Sequence, residues 1–229
     1  MRNIAVILAG GTGSRMGAAL PKQLIEVGGR PILAYPARAF DSCPGISEIV
    51  LVMAPGYEAA ARELTRPYEK IRTVIEGGTS RAESTVRALE VLAAEPDESR
   101  VLFHDAARPF VDHEIIGRCL TALADHQAVA VGLPVVDTIV EVAGDLVTAM
   151  PPRAGLWRFQ TPQGFRLGTI RAAYEKALAD PDFTATDDCG VVHRYLPGVS
   201  IPVVMGSERN LKVTHPFDIT IAEILAKDA

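Results

Sequence analysis

Ile4-Ala5-Val6-Ile7-Leu8-Ala9-Gly10-Gly11-Thr12-Gly13-Ser14-Arg15-Met16-Gly17, near the start of the 229-residue chain, is an apolar run that breaks into glycines. Its first part, Ile4 to Leu8, suits a strand buried on both faces. Glycines that follow such a strand let backbone N–H groups approach a phosphate closely, although a tight strand-to-helix turn needs them too. The run is too short for a signal peptide or a membrane span, and a soluble cytoplasmic protein is expected. Gly11 and Gly13 begin a GxGxxG pattern, but the sixth position is Met16, and no GK[ST] follows. Arg15 and Lys22 instead place two cations where a triphosphate would lie.

Outward from this stretch, strand and helix patterns alternate. Strands are expected at Glu48 to Met53, Thr73 to Ile75, Arg100 to His104, Val129 to Val136 and Ile201 to Val204. Helices are expected at Pro31 to Phe40 (with Pro36 an unfavourable residue inside it), Tyr57 to Leu64, Ser80 to Ala94, Glu114 to His126, Phe165 to Ala179 and Pro216 to Ala226. Thr138 to Val142 and Leu146 to Met150 flank Ala143-Gly144-Asp145, a β-hairpin signal. The alternation predicts an α/β domain with a mainly parallel sheet covered on both faces. One domain over residues 1–229, with 137–158 as a protruding hairpin arm, accounts for the length.

Composition narrows the function. Lys and Arg number 23 against 28 Asp and Glu, a net charge of −5, which argues against a non-specific nucleic-acid binder. A local cluster of cations can still serve an anionic substrate. Cys43, Cys119 and Cys189 lie far apart without CxxC spacing, so neither a disulfide framework nor a zinc site is expected.

The glycine loop with Pro21-Lys22-Gln23 resembles the signature loop of nucleotidyltransferases that activate sugar phosphates, and more narrowly that of cytidylyltransferases acting on polyol phosphates. The resemblance runs over almost the whole chain. It continues through Gly77-Gly78-Thr79-Ser80-Arg81, His104-Asp105-Ala106-Ala107-Arg108-Pro109, Asp137-Thr138, Gln160-Thr161-Pro162-Gln163, Thr186-Asp187-Asp188 and Asn210-Leu211-Lys212-Val213-Thr214. It implies a Rossmann-like nucleotidyltransferase domain that joins a polyol phosphate to CTP and releases pyrophosphate.

The resemblance also implies roles. Arg15, Lys22, Arg153 and Lys212 would be catalytic, stabilising charge in the transition state or orienting the acceptor phosphate. Leu8, Ala9, Gly10, Gly11, Thr12, Gly13, Gly77, Gly78, Arg81 and Ser84 would bind CTP. Asp105, Arg108, Thr138 and Thr161 would bind the acceptor. Mg²⁺ is expected with the triphosphate, which leaves it few protein ligands, and Asp105 is the best candidate. The arm around Thr138 and Arg153 matches one that the family inserts into a neighbouring subunit, implying a homodimer.

Several of these residues also have structural readings. Asp105 could cap a turn, Arg81 alone could be a helix-surface arginine, and Arg153 could be a surface cation on a local flap. His104 reads as a hydrogen-bonded structural residue, and Asp187 and Asp188 as a helix N-terminal or loop feature. The Asp105 and Arg153 motifs favour 2-C-methyl-D-erythritol 4-phosphate as acceptor, whereas the glycine loop and the tail look more like enzymes using ribitol 5-phosphate. Two other classes compete. A dinucleotide-dependent oxidoreductase would need the third glycine that Met16 replaces, and a non-catalytic nucleotide-sensing module would not need both Arg15 and Lys22.

Overall fold

The computed structural model describes residues 1–11 and 21–228. The elements in chain order begin with β1 (Asn3–Ala9), β2 (Glu26–Val27), β3 (Arg30–Pro31), α1 (Ala34–Ser42), β4 (Glu48–Met53), α2 (Glu58–Thr65) and β5 (Ile71–Glu76). They continue with α3 (Arg81–Val91), β6 (Arg100–Asp105), α4 (His113–Asp125), β7 (Ala128–Pro134), β8 (Glu141–Ala143) and β9 (Leu146–Ala149). The last are β10 (Trp157–Arg166), α5 (Leu167–Leu178), α6 (Asp188–Tyr195), β11 (Val203–Met205) and α7 (Pro216–Ala226).

Seven strands form one sheet in the order β11-β7-β10-β6-β1-β4-β5. The strand β1 pairs in parallel with β4 and β6, β4 with β5, and β7 with β11. Both faces of β1 are covered: Ala5, Ile7 and Ala9 point into one apolar layer with Phe40, Leu51 and Ile115, and Ile4, Val6 and Leu8 into the other with Val50, Phe103 and Ile170. The two-residue alternation of a strand therefore divides a continuous apolar run between two cores.

The principal correction is β10. Phe165 and Arg166 close this ten-residue strand, so the helix expected from Phe165 starts at Leu167. The strand runs antiparallel between β6 and β7 (Gln163 opposite Phe103, Gln160 opposite Val131) and makes the sheet mixed. Pro162 and two glutamines disguise it, because a proline cannot donate to a ladder. The pairing with β7 shifts register between Gln160 and Gly164, which accommodates that residue.

Smaller corrections have local causes. The helix expected from Pro31 begins at Ala34, because Pro31 pairs with Glu26 in a short ladder. Pro36 falls in its first turn, where the missing N–H would have had no helical acceptor. The side chains of Ser80, Asp112 and Asp187 cap α3, α4 and α6 by accepting N–H groups of Glu83, Ile115 and Gly190 at 3.0, 2.8 and 2.6 Å.

The hairpin forms as β8 and β9, with Gly144 at φ +60° in the positive region that tight hairpin turns require. Its apolar side chains lie open, with Leu146 74% and Val142 55% exposed. No helix among the described residues is long and apolar enough to cross a membrane.

Candidate active site

The chain reverses its direction across the sheet beside β1, with β4 and β5 on one side and β6 on the other. Ligands of open α/β sheets bind outside the carboxyl ends of strands at such a point. A cleft of about 600 Å³ lies there. Its walls come from Leu8 to Gly11 at the end of β1, Gly78 to Arg81 after β5, and Asp105 to Ala107 at the end of β6.

Behind this wall glycine is required for packing at Gly77, which does not itself line the cleft. A Cβ on Gly77 would stand 3.0 Å from Ser84 Oγ, 3.1 Å from the Met53 carbonyl and 3.3 Å from Gly10 Cα. The Ser84 hydroxyl occupies the gap, accepting the Gly78 N–H and donating to the Ser80 carbonyl, each at 3.0 Å. Ser84 thus braces the loop after β5 as well as lining the cleft. On the other strand end, the buried Gln23 amide donates to the Ala9 carbonyl.

The cations arrive from three separate segments. Lys22 opens a short 3-10 turn, and its Nζ donates to the Val213 carbonyl at 3.1 Å. Val213 is fully buried against Val27, Ile32, Phe110 and Ala222, and its N–H bonds the Ala107 carbonyl at 2.8 Å. That anchoring carries Lys212 to the cleft, where its Nζ meets Asp105 Oδ2 at 2.7 Å. Arg81, first residue of α3, brings Nε to 3.2 Å from Asp105 Oδ1 and Nη1 to 2.8 Å from Asp188 Oδ2.

Asp105 is therefore a carboxylate held between two cations. Burial by itself would raise its pKa, but Arg81, Lys212 and Arg108 together outweigh burial and hold it well below the usual carboxylate range. For Arg81, burial would lower the pKa, and the two aspartates reverse the sign, so it stays charged.

Behind the cleft, His104 is fully buried. Its Nε2–H donates to the Arg108 carbonyl at 3.0 Å, so the neutral ring presents Nδ1 as an acceptor, and the Thr161 hydroxyl donates to it at 3.1 Å. Burial pushes the His104 pKa down to about 4. The same Thr161 oxygen accepts the Asp105 N–H at 3.0 Å. His104 is a buried hydrogen-bonded residue, as expected, and the Thr161 hydroxyl belongs to the same support. Arg108 likewise faces backbone, donating to the carbonyls of Asn210 at 2.8 Å and Phe159 at 3.3 Å. Within this chain Thr161 and Arg108 position Asp105 and the Lys212 segment, and neither lines the cleft.

Of the expected residues, the fold gathers Leu8, Ala9, Gly10, Gly11, Lys22, Gly78, Arg81, Ser84, Asp105 and Lys212 around one space. Thr12, Gly13 and Arg15 lie outside the described residues. Thr138 and Arg153 do not line the cleft of their own chain. Both are exposed beside the arm, and Arg153 donates to the Val136 carbonyl at 2.6 Å.

Asp188, Gln163, Gln160 and Asn210 stand in the quoted motifs without an assigned site role, and the structure shows all four to be buried polar residues. Asp188 was read only as a helix-start or loop residue. Gln160, Gln163 and Asn210 belong to the motifs quoted above, but uncharged amides of this kind show no local sign of burial, because their partners are remote: Gln160 and Asn210 meet each other and Gln163 the start of α6.

The donors available to a magnesium ion are few. Asp105 is the one carboxylate on the described cleft wall, and no group of three or more His, Cys, Asp or Glu suited to a metal occurs among the described residues. Magnesium commonly keeps water and substrate phosphate oxygens as most of its ligands, so this donor set fits an ion carried in by a triphosphate.

The sequence matches the family model described as 2-C-methyl-D-erythritol 4-phosphate cytidylyltransferase over residues 3–228. A protein of that name from Thermobifida fusca is 46% identical over 233 residues, covering 99% of this chain and 94% of the relative. The bifunctional ribulose 5-phosphate reductase/CDP-ribitol pyrophosphorylase Bcs1 of Haemophilus influenzae is 37% identical, covering 98% of this chain and 48% of the relative. Among solved structures, 4-diphosphocytidyl-2C-methyl-D-erythritol synthase of Anaerococcus prevotii superimposes with a TM-score of 0.86 at 31% identity, covering 99% of this chain and 98% of the other. The structure of 2-C-methyl-D-erythritol 4-phosphate cytidylyltransferase from Thermus thermophilus gives 0.78 at 32% identity, covering 99% and 100%. With its cation-lined cleft at the strand ends and these matches along almost its whole length, the chain belongs to the 2-C-methyl-D-erythritol 4-phosphate cytidylyltransferase family.

Proposed function

We propose that the protein transfers CMP from CTP to 2-C-methyl-D-erythritol 4-phosphate and releases pyrophosphate. The observation that supports this most directly is the convergence of Lys22, Arg81 and Lys212 with Asp105 on one cleft at the ends of β1 and β6. The acceptor phosphate oxygen attacks the α-phosphorus of CTP; a new P–O bond forms, and the bond to the bridging oxygen breaks, so that pyrophosphate leaves. A phosphate monoester with a second pKa of about 6 is largely dianionic near neutrality, so the attack needs no general base. The obstacle is repulsion between anions, which fixed cations and positioning relieve.

In this reading Ala9 to Gly11 and Gly78 hold the nucleotide with backbone groups, while Lys22 stabilises charge that builds around the α-phosphorus. Arg15, four residues after Gly11 in the sequence, would share that work. Lys212, fixed by Asp105, would face the acceptor phosphate, and Asp105 the acceptor hydroxyls. Mg²⁺ bound to the triphosphate would neutralise part of its charge, with Asp105 as the protein carboxylate nearest at hand. Thr138 and Arg153 would complete the cleft of a second subunit in a homodimer, since they lie away from the cleft of their own chain.

Pyrophosphate release, measured with CTP and a panel of polyol phosphates, tests the assignment. Turnover with 2-C-methyl-D-erythritol 4-phosphate well above the others is the expected result. The similarity to the Haemophilus influenzae protein favours ribitol 5-phosphate as the second reading, and preferential turnover of that acceptor would replace the first. CTP binding without pyrophosphate release from any acceptor would favour a non-catalytic module.

A further inference from the structure

The feature least explained by the transfer reaction lies beneath the cleft. Asp188, at the start of α6, has no solvent-exposed surface. Its Oδ1 accepts hydrogen bonds from the hydroxyls of Thr85 at 3.0 Å and Tyr174 at 2.7 Å, and its Oδ2 meets Arg81 Nη1 at 2.8 Å. The helix that carries it is pinned in turn. Gln163 Oε1, from β10, accepts the N–H groups of both Asp188 and Cys189 at 3.0 Å. A buried carboxylate costs several kcal/mol to desolvate unless it is well paired, so a fold that places one here needs a strong local reason.

Arg81 supplies that reason. Its guanidinium is a fork of five N–H donors. Nη1 forms an ion pair with Asp188 and Nε donates to Asp105, while Nη2 is buried and has no hydrogen-bond partner among the described residues. A planar fork clamped at two corners has little freedom left for the third, and Arg81 itself lines the cleft. Asp105 is shared with Lys212, so the chain Asp188–Arg81–Asp105–Lys212 links the buried helix start to a cation of the cleft.

We infer that Asp188 is a positioning residue: held by Thr85, Tyr174 and the Gln163-braced start of α6, it aims the Arg81 guanidinium at the bound nucleotide and keeps Asp105 divided between Arg81 and Lys212. Asp188 touches no substrate and acts only through Arg81. This rests on the assignment of the cleft to CTP.

The test is a double-mutant cycle read by CTP affinity, which does not depend on knowing the acceptor. Asp188→Asn keeps the volume and an oxygen for Thr85 and Tyr174, and removes the charge opposite Arg81. It should raise the Kd for CTP about tenfold, a size typical of residues that act through a contact. Arg81→Gln should weaken binding at least as much, and Asp188→Asn should add almost nothing in the Arg81→Gln background. Tyr174→Phe, which removes one hydroxyl, should give a smaller loss in the same direction. Circular dichroism establishes that each variant is folded, and if Asp188→Asn fails to fold, Tyr174→Phe in the same cycle carries the test.

Additive losses for Asp188→Asn and Arg81→Gln, or an unchanged CTP affinity in folded Asp188→Asn, would overturn the inference. Wild-type protein that binds CTP but transfers it to no acceptor would count against the catalytic assignment alone. Wild-type protein that does not bind CTP would overturn both.

Discussion

The cleft and the arm are opposite kinds of surface on one chain. At the cleft, charged side chains from β6, α3 and the segment after β11 are already tied together: Arg81 and Lys212 both grip Asp105, and the Lys22 ammonium donates to the carbonyl of Val213, the residue after Lys212. On the arm, the apolar side chains of Val142, Leu146 and Val147 stand open to solvent, and Arg153 donates to the Val136 carbonyl. The contrast teaches that binding geometry is of two sorts. A polyanion pocket must exist before its ligand, because mutually repelling cations need counter-charges to hold them. An exposed apolar strand pair gains its order from whatever later covers it, and isolated hairpins are marginal in water.

Changes on the two sides should therefore differ in kind. The largest effect is expected at the cleft. Lys22→Ala should lower turnover by roughly 10²–10³-fold, the usual cost of one transition-state charge stabiliser, with the folded circular dichroism spectrum retained. Near-normal turnover in that variant would break the reading of the cleft as preorganised.

The arm is tested by mixing. Arg153→Ala and Lys22→Ala proteins, each nearly inactive alone, should recover about a quarter of wild-type activity after subunit exchange, because statistical pairing in a two-fold dimer leaves that share of sites intact. Failure to recover after exchange is confirmed by mass spectrometry would confine each site to one chain.

A third effect concerns the support behind the cleft. His104 has its pKa lowered to about 4 in the fold, below its ordinary value near 6.5. Between those values the unfolded chain binds the extra proton. The contribution to stability is thus complete above about pH 6.5 and is lost as pH falls toward 4, by at most roughly 1.4 kcal/mol per pH unit. Denaturant unfolding of wild type and His104→Gln across this window should show the steeper loss in wild type, and parallel curves would refute the buried neutral ring. The smallest effect belongs to the arm. Leu146→Ser should leave the stability of the single chain within about 0.5 kcal/mol while shifting sedimentation toward monomer. A lowered melting temperature without a change in mass would mean that the arm packs on its own chain.

Much of this was legible in the residues. The buried β1 with its glycines, the alternation of strands and helices, the hairpin around Gly144 and the cation-bearing motifs are all local patterns with periods a reader can count. What escaped was of another character. The strand β10 carries Pro162, Gly164 and two glutamines whose partners are remote: Gln160 bonds the backbone of Ser207, and Gln163 the start of α6. Thr161 and Arg108 were recognised as motif residues, yet their contacts place them behind the cleft. Asp188 looked like half of a helix-start signal, and Asp187 alone performs that capping.

The linear sequence by itself determined the fold class, the family and the residue types that meet a polyphosphate, because backbone periodicity and glycine conformational freedom act over a few neighbours. Only the tertiary structure decided which of those residues face the cleft and which hold it up. A buried charge or amide takes its role from the partner that offsets its desolvation, and for Asp105 those partners, Arg81 and Lys212, lie 24 and 107 residues away along the chain.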